Sequence, residues 1–379
     1  MKLINKIKLV LFIAFLSVFC SAEWQGQFST IGDMRKIDDG YVSQIGLRYI
    51  PTWSLVVPWP TALFDTEISF NINGSFTRQH RGDESTDFDL GPYRFWVRRS
   101  TDKLEIRVGL QKITFGPARL FRSLMWFDKL DPRDPLQITE GVWAMRVRRD
   151  FPNNVNASVW GLLWNNEPKG WELIPTKKNN VEFGGRFQMP IWKGEIGFSG
   201  HNRIIGRSDV PSYLNINTMS KATPEVKAAI DGFFDIGIGL WFESSVVRAN
   251  YGADFPNWQS FLTVGSDYTL PIGNGLTVTA EHFIYSIDDK PFSKSNDVQM
   301  TGIMAMYPIS LFDNISGITF YSWDAKLAYF FISWQRTYDD WTINLNTFFS
   351  SNSSETFSFN QSLSDFSSRG IQLMLIFNH

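Results

Sequence analysis

The chain has 379 residues, a formal net charge of −2, one cysteine, and 16% aromatic residues against a mean hydropathy of only −0.16. A charge so near zero excludes a basic nucleic-acid-binding surface, and a single cysteine excludes a small disulfide-stapled scaffold. Many aromatics at low mean hydropathy point to strands that separate apolar from polar residues face by face, the composition of a transmembrane β-barrel.

Residues 1–22 are expected to form a secretory signal: Lys2, Lys6 and Lys8 precede an apolar run over 9–19 and the small-residue site Cys20-Ser21-Ala22. The run is too short to span a membrane as a helix. Cys20 raises a lipoprotein alternative, opposed by the bulky Phe19 just before it. Cleavage removes three lysines and no acid, so the 357 residues that remain of 379 carry a net charge of −5 and no cysteine. No later run reaches the length of a spanning helix, and no Pro/Ser-rich linker divides the chain.

Period-2 alternation dominates from there. Phe64, Thr66, Ile68, Phe70 and Ile72 alternate with Asp65, Glu67, Ser69, Asn71 and Asn73, and Tyr93, Phe95 and Val97 alternate with Arg94, Trp96 and Arg98. The same division recurs around Leu104 to Leu110, Val181 to Phe187 and Trp341 to Leu345. Each such strand buries one face in an apolar medium. In chain order the predicted strands are 24–35, 41–50, 62–74, 92–100, 103–111, 141–150, 155–164, 181–189, 195–203, 233–240, 243–251, 259–269, 276–287, 299–307, 316–323, 327–337, 341–350 and 369–377. Their lengths cluster near the roughly 9–11 residues that cross a bilayer at a tilt. Short turns at 101–102, 152–154, 192–194, 271–275 and 338–340 alternate with polar loops at 75–91, 165–180, 204–232, 288–297 and 351–368. Short on one side and long on the other is the arrangement of periplasmic turns and extracellular loops.

The fold class is therefore all-β, an antiparallel transmembrane barrel of 16–18 strands over residues 23–379. If 233–249 forms one strand across the join at Leu240 to Glu243, one further boundary must also merge, and the even count becomes sixteen. Gly237-Ile238-Gly239 reads as strand glycine, because it lacks the third glycine and the helix of a dinucleotide fingerprint. A short helix at 224–230 is compatible with the loop around it.

One connection departs from the pattern. Residues 112–140, KITFGPARLFRSLMWFDKLDPRDPLQITE, are neither polar nor Gly/Ser-rich. Pro117 suits the first turn of a helix, 118–127 carry Leu120, Leu124 and Phe127 at helical spacing, and Asp131-Pro132 and Asp134-Pro135 end it. Side chains this apolar need a surface to pack on. The inner wall of the barrel supplies one; the plainer alternative is a capping helix on an ordinary β domain.

With signal, alternating strands, two loop classes and one long inward loop, the whole chain resembles bacterial outer-membrane porins and related channel barrels. The terminal row Ile371, Leu373, Leu375 and Phe377 matches the strand by which such barrels are recognised for assembly, although Asn378-His379 follow where an aromatic residue is usual. The resemblance implies an outer-membrane location, outer-membrane lipids and the barrel-assembly machinery as partners, small-molecule solutes as cargo, and a homotrimer as a compatible assembly.

The inward faces then collect Arg94, Arg98, Arg107, Arg146, Arg148 and Arg186, interleaved with Glu105, Glu182 and Glu195. Opposite them the 112–140 segment offers Arg119, Arg122, Trp126, Asp128, Asp131 and Asp134 as a constriction. A basic wall facing acids sets a transverse field that biases which solutes pass. The competing reading pairs these arginines with the acids and gives them only a stabilising part. The four histidines show no metal-site spacing, and Glu281 and His282 fall on opposite faces of one strand, so neither metal nor catalysis is expected and no cofactor is implied. Asp83, Glu84, Asp87 and Asp89 read as a solvated acidic loop, with calcium binding as the alternative. Trp53, Trp59, Trp143, Trp164, Trp192, Trp241, Trp323 and Trp341 at strand ends read as interfacial girdles. The expected function is passive diffusion of small hydrophilic solutes with an anion preference. The alternatives are a plugged barrel that binds surface polysaccharide or a partner through its external loops, and a transporter of a polymer or hydrophobic ligand using the cluster at 121–127.

Overall fold

A computed structural model describes residues 21–37, 40–80, 82–214, 216, 218–253, 255–295, 297–351 and 369–379. The signal expected over 1–22 lies almost wholly outside them, as does the loop at 351–368.

Eighteen strands follow in chain order: β1 (Ser21–Ile37), β2 (Gly40–Trp59), β3 (Ala62–Gln79), β4 (Glu84–Ser100), β5 (Leu104–Gln111), β6 (Val142–Asp150), β7 (Asn156–Leu162), β8 (Glu182–Ile191), β9 (Gly194–Ile205), β10 (Thr223–Asp235), β11 (Gly239–Ala249), β12 (Trp258–Leu270), β13 (Leu276–Asp288), β14 (Asp297–Pro308), β15 (Asp313–Ser322), β16 (Leu327–Thr337), β17 (Trp341–Ser350) and β18 (Arg369–Asn378). Each pairs antiparallel with the next, and β1 closes on β18 from Gln27↔Asn378 to Lys36↔Arg369. Closure removes every sheet edge, which lets a barrel satisfy its backbone within a bilayer.

The alternation settles which face is which. Phe64, Phe70, Phe95, Val97, Val108, Phe183, Phe187, Leu345 and Leu373 are exposed on the outside, whereas Ser69, Arg94, Glu182, Arg186, Asn344 and Asn346 are buried inside. Trp59, Trp164, Trp192, Trp323 and Trp341 lie exposed at strand ends, as an interfacial girdle requires, whereas Trp53 is exposed within β2. Trp241 does not join them: it is 3% exposed, faces inward, and donates its indole N–H to Glu281 at 3.0 Å.

Several local expectations are corrected. The strand count is eighteen, and the doubtful join lies at 236–238, between β10 and β11, where Gly237 takes φ +97°, a conformation open to glycine. Gly237 makes the turn, and Gly239 opens β11. Residues 224–230 form strand, not helix: Thr223, Glu225 and Lys227 are buried inside while Pro224, Val226 and Ala228 face outward, so period 2 prevails over helix propensity. The polar loop placed at 75–91 shrinks to 80–83, because β3 and β4 pair from Arg78↔Glu84 downward and carry Glu84, Asp87 and Asp89 into strand. Residues 118–127 form no helix. The amide protons of Ala118 to Phe121 and of Leu124 are taken by wall carboxylates instead of by carbonyls four residues back.

Candidate functional site

The connection from β5 to β6 folds back between two inner walls. On one side Leu120 and Phe121 pack with Val247, Phe261, Phe283, Met300, Phe320 and Phe331, inward side chains of β11 to β16. On the other, Ile113, Trp126 and Phe127 pack with Val142 and Ala144 of β6 and Trp160 and Leu162 of β7. Each large apolar side chain so buried contributes roughly 1.5–3 kcal/mol.

Two carboxylates fix the segment between these contacts. Glu243 on β11 accepts the backbone N–H groups of Ala118 (2.8 Å) and Leu124 (2.9 Å). Glu281 on β13 accepts those of Arg119 (2.6 Å), Leu120 (2.9 Å) and Phe121 (2.7 Å). Five donors that would otherwise be orphaned in a buried turn are satisfied by carboxyl oxygens. Arg119 adds an ion pair with Asp267 at 2.7 Å, and Trp126 donates its indole N–H to Ser245. Neither glutamate is legible as an anchor in the sequence. Alternation separates Glu281 from His282 onto opposite faces, and nothing in its neighbourhood names the loop that Glu281 holds; His282 does face the other way, toward Thr301 at 3.0 Å.

A second loop, 163–181, also turns inward. Trp171 donates its indole N–H to the Arg122 carbonyl at 2.8 Å, bonds the Met125 carbonyl through its backbone, and stacks on Phe283 at 5.7 Å. Glu172 follows it into a buried charge cluster, 3.1 Å from Arg203, 2.7 Å from Lys227 and 3.1 Å from Lys169. Burial raises the Glu172 pKa, but Arg203, Lys169 and Lys227 outweigh that and hold it well below the usual carboxylate range. Glu182 joins through Lys169 (2.9 Å) and His201 (3.0 Å), and Glu225 through Arg203 (2.6 Å). Three carboxylates balance three cations.

The predicted wall residues are inward but largely paired. Arg98 meets Asp65 (2.5 Å) and Glu105 (3.4 Å), Arg107 meets Glu105 (3.5 Å), Arg148 meets Asp150 (2.9 Å), and Arg186 meets Asp231 (2.5 Å). Arg94 reaches the segment, donating to the carbonyl and hydroxyl of Thr139 at 3.0 and 3.2 Å. The segment's acids do not oppose this wall. Asp128 pairs with Arg122 (2.8 Å) and Asp131 with Arg133 (2.9 Å), both within the segment. Asp134 accepts the backbone N–H groups of Leu136 and Ile138, and burial raises its pKa. The expected transverse field between a basic wall and acidic segment is therefore not formed.

Open space lies on both sides of the segment. A cavity of about 500 Å³ at the short-turn end is lined by Gln25, Gln27, Thr52, Tyr93, Asp340 and His379. A second of about 460 Å³ continues toward the long-loop side beside Gln44, Arg48, Asn71, Asn73, Asp134 and Gln372. Leu136 and Ile138 line both, so the two are neighbours along β1, β2 and β18. A third, of about 440 Å³, sits beneath residues 113–117 on the short-turn side of β6 to β10.

No family model and no curated protein matches the sequence. Solved structures do match in fold. OccAB4 of Acinetobacter baumannii aligns with a TM-score of 0.57 at 7% identity over 95% of this chain and 98% of that one. The carbohydrate-binding β-barrel Wzi of Escherichia coli, an outer-membrane protein involved in group 1 capsule assembly, aligns at 0.53 and 12% identity over 94% and 84%. The anion-selective porin of Comamonas acidovorans aligns at 0.51 and 12% identity over 95% and 100%, so this closed 18-stranded barrel is similar in fold to bacterial outer-membrane porins.

Proposed function

We propose that the protein is an outer-membrane channel for passive diffusion of small hydrophilic solutes, narrowed by residues 112–140 to an off-axis passage along β1, β2 and β18. The observation that carries this reading is the pair of neighbouring cavities that share Leu136 and Ile138, one at the short-turn end and one in the long-loop half. Side-chain amides of Gln25, Gln27, Gln44, Asn71, Asn73 and Gln372 supply much of the lining. Amides donate and accept, so they exchange hydrogen bonds with hydrated or hydroxylated solutes without selecting a charge. The charged groups along the passage, Arg48 and Lys129 against Asp33, Asp131, Asp134 and Glu140, leave no positive excess, so we assign the passage no strong anion preference. The apolar exterior suits contact with lipid, and the closed strand order suits insertion by the barrel-assembly machinery; a homotrimer is compatible with both.

A second reading has its own observation. The segment is docked on two walls and by two carboxylates, the arrangement of a plug, and the fold is shared with a barrel described as carbohydrate-binding. Planar-bilayer recording separates the two. The channel reading expects discrete steps from the refolded protein and larger steps from a variant lacking 118–135. Silence in the intact protein, with steps only after the deletion, would establish the plug.

A further inference from the structure

Leu136 and Ile138 are the only residues that line both cavities of the passage. They stand on a short turn near the end of the inserted segment, just after Asp134-Pro135. The Asp134 carboxylate accepts the backbone N–H of Leu136 at 3.0 Å and that of Ile138 at 3.4 Å. Gln137 between them takes φ +47° and donates its backbone N–H to the Asp134 carbonyl at 3.1 Å, which keeps the turn tight. Arg94 of the wall holds the next residue, Thr139, by its carbonyl and its hydroxyl. The turn is pinned on both sides, and it presents two apolar side chains to the passage.

The wall between the two cavities is closed at the same level. Gln27 and Ile50 line the short-turn cavity, and Ile31, Arg48 and Met374 line the long-loop one. Ser29 and Ile376, paired with each other across β1 and β18, lie between these rows; they are 1% and 5% exposed and line neither cavity. Two polar chambers are therefore separated by a short neck to which Leu136, Ile138 and Ile50 contribute apolar surface.

Such a neck discriminates by the cost of dehydration. An inorganic ion crossing it gives up water, and nothing in the neck replaces that water; a charge in an apolar setting costs far more than a neutral hydroxyl does. An apolar constriction also tends to empty of water and so blocks ionic current while remaining wide enough for a solute. The rims treat uncharged solutes differently. On the long-loop side the Nε of Arg48 and the Oδ1 of Asn71 are buried without a hydrogen-bond partner among the described residues, which leaves one donor and one acceptor open beside the neck. On the other side Gln27 and Thr52 offer both functions. A solute with several hydroxyl groups spans the neck with its ends still hydrogen-bonded, and a single ion does not.

We propose that Leu136 and Ile138 form an apolar gate that admits small uncharged hydroxylated solutes and holds back inorganic ions. The gate rests on the channel reading and gives it a substrate class.

Vesicle swelling in arabinose and single-channel recording in potassium chloride, both with the refolded full chain, test it. The unaltered chain should admit arabinose while passing only small ionic steps. Leu136→Asn combined with Ile138→Asn nearly conserves side-chain volume but wets the neck, and should raise ionic conductance about fivefold or more with less than about a twofold change in arabinose swelling. Leu136→Ala combined with Ile138→Ala widens the neck without wetting it, and should raise conductance less than the asparagine pair does. Arabinose entry through each variant also shows that it is folded and inserted. Unaltered ionic conductance in the asparagine pair, or a larger rise in the alanine pair, would overturn the gate and leave the channel reading standing. Neither swelling nor current from the intact chain would overturn the channel reading, and the gate with it.

Discussion

Replacing Glu243 and Glu281 together with alanine is expected to release the 112–140 segment and raise single-channel conductance several-fold. The two carboxylates accept five backbone N–H groups between residues 118 and 124, and Glu281 also accepts the Trp241 indole. Each buried donor left without an acceptor costs about 1–3 kcal/mol, so the docked arrangement loses most of its advantage over an open one. The apolar contacts of Leu120 and Phe121 remain, which predicts fluctuation between two current levels more than a permanent opening. Glutamine at both positions keeps one acceptor oxygen each and should give an intermediate effect. Unaltered current in the double alanine variant would show that packing alone holds the segment.

Glu172→Gln is expected to destabilise the barrel by about 3–5 kcal/mol, the usual cost of breaking a buried ion pair on one side. The glutamate contacts Arg203, Lys227 and Lys169, and its loss leaves three cations against two carboxylates in a cluster closed to water. Urea unfolding from lipid vesicles reads the change. The pH dependence follows from the lowered Glu172 pKa: the folded state holds the charged form more tightly, so its contribution is complete above the ordinary value near 4.5 and is lost as pH falls from there toward the depressed value. The unaltered protein should therefore lose stability in acid more steeply than Glu172→Gln. Parallel acid profiles for the two would contradict the assignment.

Much of this fold was legible because a barrel writes its two faces into every strand. Phe95 and Val97 against Arg94 and Arg98 separated the two faces of a strand, and turn spacing bounded the count at sixteen to eighteen, of which the structure has eighteen. Errors fell where a local signal was outweighed by a distant one. Residues 118–127 have helical spacing, but their amides bond carboxylates more than a hundred residues away in sequence. Residues 224–230 carry helix formers, yet β9 and β11 on either side supply hydrogen bonds that a strand can use. The inserted segment was visible from its apolar content alone. Its partners were not, because Glu243 and Glu281 are single acids in otherwise ordinary strands, and the loop carrying Trp171 and Glu172 looks polar in sequence. The arginine wall shows the same limit. Its inward direction was readable, whereas its pairing with Asp65, Glu105, Asp150 and Asp231 depends on register.

The central claim is that solute moves beside β1, β2 and β18 and not through the basic side of the barrel. Thiol accessibility tests it most directly, since the only cysteine is Cys20, within the expected signal. Asn73→Cys places a thiol in the passage and Ser158→Cys places one in the separate cavity under residues 113–117. Current through each variant would be recorded before and after a bulky methanethiosulfonate reagent. Block at Asn73→Cys with little change at Ser158→Cys is the predicted result; block at Ser158→Cys with current preserved at Asn73→Cys would place the path on the opposite side of the segment and contradict the account.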